Sequence, residues 1–306
     1  MSWKFELVAG PLGYTSEGPA WDGRHLYFSL IQDKRIMRYD PKSGECIEWK
    51  NNTRGVNGMM FGADGRLYGC QATGRALVRF EADGSMTTLV DRLDGKRLNT
   101  PNDLAIDMKG RIWFSNPWNK GLVAPGDTKE LADESVLRAD PGPDGKYTVT
   151  RVADNLTSPN GVLLSVDEKV LYVAECDYGE DRLRELRGYP INDDGSLGKH
   201  TVLHQFGRDH RGVHRSVDGM CLDSEGNIIA CAGWTKSGPG PLIYVFAPSG
   251  RVIETHVLPA DHPANCTFGD GDLSTLYVTT RAGHLWRART ERRGHMLYPL
   301  YAAGKH

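Results

Sequence analysis

Six side chains that carry oxygen, Glu17, Asn57, Asn102, Asn160, Asp218 and Asn265, each stand ahead of an apolar segment that reaches a strand-like position ten to twelve residues later, at Tyr27, Tyr68, Trp113, Tyr172, Ile229 and Tyr277. If each copy is one structural unit and the units close in a circle, the six oxygens meet on one axis. Two carboxylates and four amides suit a hard divalent cation, which takes six to eight oxygen ligands and tolerates neutral ones. Asn57-Gly58, Asn160-Gly161 and Asp218-Gly219 are also ordinary turn dipeptides. Six oxygens in register, with no Lys, Leu or Val at that position, favour a common site over six separate turns.

The elements that must position such a ring are legible around it. Gly-containing turns lead into short apolar runs, as in Asp22-Gly23 before Leu26-Tyr27-Phe28, Asp64-Gly65 before Leu67-Tyr68 and Lys109-Gly110 before Ile112-Trp113-Phe114. Such turns supply the positive φ angles that join twisted antiparallel strands. Third strands follow at Ile36–Asp40, Leu77–Phe80, Val136–Asp140 and Leu285–Ala288, and fourth strands at Cys46–Trp49, Met86–Val90, Tyr147–Thr150 and Val252–Thr255. Four short antiparallel strands per unit, with copies advancing by roughly 40 to 60 residues, predict an all-β, six-bladed β-propeller that fills residues 1–306 as a single domain. The last unit lacks a fourth strand, and Lys4–Val8 has no unit of its own; this segment is expected to complete the final blade and protect its edge.

Two stretches break the period, Asn116–Asp133 and His204–Arg215. Long loops on a rigid scaffold are often functional, and both are expected to overhang the ring. Trp118 in the first is a candidate for stacking on a sugar. His214 and Arg215 in the second are candidates to contact a polyhydroxylated or anionic ligand. The irregular spacing of His204, His210 and His214 argues against zinc. Neither a Gly-x-Ser-x-Gly elbow nor a nucleotide-binding glycine loop is present.

Composition narrows the partners. With 37 basic and 39 acidic residues the chain has no electrostatic footprint for nucleic acid or an anionic membrane. No secretory signal and no transmembrane helix is read from it, and six cysteines without Cys-x-x-Cys spacing suggest reduced thiols in the cytoplasm. The sequence leaves the oligomeric state open.

Five ordered motifs carry a family resemblance: Ser16-Glu17-Gly18-Pro19-Ala20-Trp21, Leu98-Asn99-Thr100-Pro101-Asn102-Asp103-Leu104, Ser158-Pro159-Asn160-Gly161-Val162, Val217-Asp218-Gly219-Met220 and Asn265-Cys266-Thr267-Phe268-Gly269. The chain resembles the gluconolactonase, senescence marker protein and luciferin-regenerating enzyme family over nearly its whole length. The resemblance implies a six-bladed propeller whose channel binds a divalent cation and hydrolyses cyclic esters. Glu17, Asn160 and Asp218 would be the ligands, with Asn102 a fourth ligand or a substrate contact. Calcium is the first expectation, with Mg2+, Mn2+, Zn2+ or Fe2+ as alternatives. Ser115-Asn116-Pro117 stands where similar members have Thr-Asp-Pro, which removes a carboxylate expected near the entrance.

On that reading a sugar-acid lactone is opened by water while the cation polarises its carbonyl. Asp218 and Asp103 are the candidate bases, Asp103 having the alternative of a structural hydrogen bond. The amides of Asn102 or Asn57 could donate to the oxyanion, and Asn57 and Asn265 are also expected at the substrate. Two alternatives stand beside it: phosphotriester or fluorophosphate cleavage, because diisopropyl fluorophosphatase has similar motifs, and a non-enzymatic propeller whose metal is a structural plug. An apolar channel mouth would favour the phosphotriesterase.

Overall fold

The computed structural model describes residues 2–180, 182–296 and 298. Six four-stranded antiparallel sheets follow one another as blades around an axis, each running from an inner to an outer strand. Their inner strands are Ser16–Trp21, Val56–Phe61, Leu104–Ile106, Pro159–Leu164, Met220–Leu222 and Pro263–Gly269 in blades 1 to 6. Burial follows the radius. Every residue of Ser16–Trp21 and of the second strand, Leu26–Leu30, is buried, whereas the outer strand Cys46–Lys50 has none buried.

The blades are held by apolar faces packed against the next blade. Tyr27 and Ile36 of blade 1 meet Val56, Met59 and Val78 of blade 2, and Trp21, Phe28 and Tyr39 meet Tyr277 and Leu285 of blade 6. Each full burial of such a side chain contributes about 1.5–3 kcal/mol, so the seams between sheets are the core.

Closure takes the expected route. Glu6–Ala9 pairs with Leu285–Arg289 as the outer strand of blade 6, Glu6 facing Arg287 and Leu7 facing Trp286, with a Glu6–Arg287 ion pair at 3.1 Å. The outer edge of the last blade is thereby covered by the first strand of the chain. Among the described residues no helix is long and apolar enough to cross a membrane.

The two period-breaking segments fare differently. Residues 117–133 run without a strand between Ile112–Asn116 and Glu134–Pro141, as a loop should. His204, by contrast, belongs to the outer strand Thr201–Gln205 of blade 4, its ring packed on Phe206 and Phe246 at 4.8 and 5.1 Å. The chain leaves the blade only after this strand, in a small ribbon where Arg208–Asp209 pairs with Gly212–Val213.

Candidate functional site

The residues of the ring sit where the inner strands are irregular. Pairing between inner and second strand slips between Glu17 and Ala20, Val56 and Met59, Pro159 and Val162, and Pro263 and Cys266. A bulge turns a side chain away from the regular alternation, here toward the axis. At the same level the strands bond to one another across blades, Gly58 N to Asn102 O at 2.7 Å, Gly161 N to Asp218 O at 2.9 Å and Gly219 N to Ala264 O at 2.7 Å. The Asn-Gly and Asp-Gly pairs are therefore points of close approach between strands and not turns. Gly18 shows the requirement best: its φ is +49°, and a Cβ there would lie 2.3 Å from Asn57 O.

Two layers result, one residue apart along each inner strand. The upper layer is Glu17, Asn57, Asn102, Asn160, Asp218 and Ala264, which all line a cavity of about 640 Å³. The layer beneath is Gly18, Gly58, Asp103, Gly161, Gly219 and Asn265, and Asp103 and Asn265 face a separate apolar chamber of about 140 Å³ with Met59, Val162, Met220 and Cys266 on its walls. Asp103 and Asn265 play matching parts. Each side chain accepts from the next backbone amide, Leu104 N at 3.0 Å and Cys266 N at 2.8 Å, and each backbone N–H donates to a hydroxyl of the second strand, Ser115 at 3.1 Å and Thr279 at 3.2 Å.

Asn265 thus belongs one step below the ring, and Ala264 holds the blade 6 position. Asn265 was expected at the substrate and Asp103 as a base; neither lines the upper cavity. The glycines of the lower layer give these two side chains their room, since a Cβ at Gly58 would lie 2.3 Å from Asp103 Oδ1 and one at Gly219 2.0 Å from Asn265 Cγ.

The electrostatics of the two layers are linked. Burial, followed by the Asp218 and Asp103 carboxylates, raises the Glu17 pKa well above its ordinary value, against hydrogen bonds from Gly18 and Asn265. Burial likewise pushes Asp103 up to about 7. Asp218 is raised by burial and held back by the Arg215 guanidinium, the Asn160 amide and Arg281. Arg215 is buried, ion-paired to Asp218, and fixed by donation to Pro263 O at 2.8 Å.

Those residues fit a cation. Among the described residues no lysine or arginine pairs with Glu17, and Asn57 Oδ1 is buried without a hydrogen-bond partner. No group of three or more His, Cys, Asp or Glu among the described residues could hold a metal, so the shell would have to include the amide oxygens. A hard cation accepts such a mixed set.

Around the ring, Trp118 lines the cavity, with Arg75 stacked at 5.1 Å from the ring centroid and its backbone N–H on Glu134 at 3.0 Å. Arg215 also lines it, while His214 does not; the His214 ring lies 3.5 Å from Asp209 in the ribbon. Asn116 is fully buried and away from the cavity lining, so its exchange for a carboxylate does not act at the entrance. All six cysteines are free. Sequence reasoning missed Gln32, Asp177, Tyr178 and Arg281, which also line the cavity. Their shared signal is position, just beyond the second strand of blades 1, 4 and 6.

Residues 15–282 match the family model described as the SMP-30/Gluconolactonase/LRE-like region. The chain is 29% identical to a gluconolactonase of Zymomonas mobilis, over 96% of this chain and 83% of that protein. It is 28% identical to a pentonolactonase of Haloferax volcanii, over 87% and 81%. The solved structure of a gluconolactonase from Xanthomonas campestris superposes with a TM-score of 0.78 at 30% identity, over 94% of this chain and 89% of that one.

Proposed function

The chain belongs to the SMP-30/gluconolactonase/LRE-like family and is a lactonase, and from that premise we propose that it opens sugar-acid lactones in the 640 Å³ cavity with the help of one divalent cation, calcium first. Glu17, Asn160 and Asp218 would hold the cation, with Asn102 as a fourth ligand or a substrate contact. The cation supplies a Lewis acid for the ester carbonyl. The observation that carries this reading is the convergence of five oxygen-bearing side chains from five blades on one cavity, with Glu17 lacking a cationic partner among the described residues.

The chain's own groups then divide the work. Asp218 accepts a proton from the attacking water, and Arg215 holds that carboxylate in place. The Asn57 or Asn102 amide donates to the oxygen on which charge develops. As the ring C–O bond breaks, the proton passes to the departing alkoxide, and the product is a hydroxy acid. Trp118 offers a face for the sugar ring. Asp103, beneath the ring and bonded to Leu104 N, is left out of the chemistry.

A polar mouth of Gln32, Asn119, Lys120 and Arg281 supports a polyhydroxylated ligand over an apolar phosphotriester. Acid release from a panel of aldonolactones and from a phosphotriester, with and without chelator, tests the reading. Turnover of aldonolactones that is lost with chelator and in Asp218→Ala is expected; wild-type turnover by Asp218→Ala in the presence of chelator would overturn it.

A further inference from the structure

The upper layer has one gap. Five of its six positions carry polar side chains, and the sixth is Ala264 of blade 6. Arg281, which follows the second strand of that same blade, Thr275–Thr280, lines the same wall. Its backbone N–H is committed to His262 O at 3.1 Å, and its charge attracts Asp218 at longer range, but among the described residues its guanidinium forms no ion pair and donates no hydrogen bond. Lys120, on the loop of blade 3 across the axis, also lines the cavity and also has no acidic partner among the described residues.

Several other cations are paired, among them Arg97 with Asp127 at 3.0 Å, Arg211 with Asp209 at 2.7 Å and Lys129 with Glu134 at 3.2 Å. Asp177, the carboxylate on the cavity rim, accepts from Gly179 N at 2.8 Å and lies 3.9 Å from Arg182. On the floor Asp218 is ion-paired to Arg215, and Arg281 adds only a longer-range attraction to it. The N–H donors of the two rim cations are left for the ligand.

We propose that the lactone opened here carries an acidic oxygen group, a carboxylate or a phosphate, at the end remote from the ester, and that this tail passes over Ala264 to the Arg281 guanidinium, with Lys120 adding attraction from the opposite side. The proposal rests on the lactonase reading and names its substrate class. A guanidinium fork can bind either oxyanion through two parallel N–H donors, whereas a neutral terminal alcohol offers it a single weak acceptor. A small side chain at Ala264 leaves the passage that any of the other five ring residues would fill.

Steady-state kinetics on three lactones of one sugar skeleton test this: gluconolactone, a glucaric acid monolactone and 6-phosphogluconolactone. The wild type should show kcat/KM at least about tenfold higher for an acidic lactone than for the neutral one, falling with added salt, as expected for a charge-assisted pair. The larger of the two acidic values identifies the acid. In Arg281→Gln the acidic-to-neutral ratio should collapse through KM, with part of it restored in Arg281→Lys. Ala264→Leu should lower the same ratio by closing the passage. A wild-type preference for gluconolactone, or a ratio unmoved in Arg281→Gln, would overturn the proposal.

Failure of the underlying reading has a different signature, no turnover of any lactone. Calorimetry with glucarate and gluconate still decides the subsite in that event. Tighter binding of glucarate that is lost in Arg281→Gln supports it, and equal binding of the two overturns it.

Discussion

Asn102 and Asp103 are neighbours in the chain, yet one lines an open polar cavity and the other an apolar chamber below it. The two layers are built from the same inner strands and their leading residues, and differ in how their oxygens are satisfied. In the lower layer Asp103 and Asn265 accept from backbone amides and fill the space that glycines vacate. In the upper layer Glu17 accepts from Gly18 N at 2.9 Å but its buried carboxylate has no cation among the described residues, and Asn57 Oδ1 has no donor. A buried polar group without a partner costs free energy, so the upper layer is built to be completed by a ligand and the lower one to stand by itself.

The comparison breaks most readily at Asp218. Asp218→Ala should reduce kcat by about 10²–10⁴-fold, the range for loss of a general base, while the far-ultraviolet circular dichroism of the propeller persists. Asp103→Ala should do the reverse. The Leu104 N–H would be left unpaired, costing about 1–3 kcal/mol in a denaturant titration, and kcat of the folded enzyme should be unchanged. If Asp103→Ala instead removes activity without loss of stability, the two layers do not divide as described.

Gly219→Ala sharpens the account of the lower layer. Its Cβ would meet Asn265 at 2.0 Å, and overpacking of this kind costs about 1–3 kcal/mol. In an Asn265→Gly background the penalty should shrink, because the clashing atoms are gone. Equal penalties in both backgrounds would show that Asn265 is not what excludes a side chain at Gly219.

This division also explains what was legible in the sequence. The blades were, because Asp22-Gly23 or Asp64-Gly65 mark the turns and because Lys4–Val8 had no other unit to complete. Five ring residues were legible as well, but bulges are invisible in a side-chain pattern, and a one-residue slip at Asn265 exchanges the upper layer for the lower. The usable signal lay in the following residue. Gly follows Glu17, Asn57, Asn160 and Asp218, whereas Ala264-Asn265 repeats the arrangement of Asn102-Asp103. His204 was misjudged because Thr201–Gln205 alternates too weakly to announce an edge strand, and Arg281 was missed because it follows a strand as an ordinary turn residue would.

A difference in proton binding should separate the layers further. Burial raises both Glu17 and Asp218, so between the unfolded carboxylate values near 4 and the raised folded values the cation-free native protein binds more protons than the unfolded chain. Its stability must therefore fall as pH rises through that window. A bound cation favours the ionised carboxylates and opposes the fall. The loss of Tm on chelation should accordingly be larger at pH 8 than at pH 5, each kcal/mol of difference appearing as about 2–4 °C or less in a chain of this size. An equal loss at the two pH values would place the cation away from Glu17 and Asp218.

The smallest effect is expected at the outer margin of the upper layer. Trp118 is held over the cavity by its backbone bond to Glu134 and by Arg75, whose Nε donates to Leu98 O at 2.6 Å. Its place is therefore fixed before any ligand arrives, and stacking on a sugar face should contribute about 0.5–1.5 kcal/mol. Trp118→Ala should raise KM severalfold with kcat nearly constant, as expected of a wall that binds the sugar and takes no part in the proton transfers. A fall in kcat at constant KM would mean that Trp118 orders the reacting groups themselves, and the boundary between binding wall and catalytic ring would have to be drawn higher in the cavity.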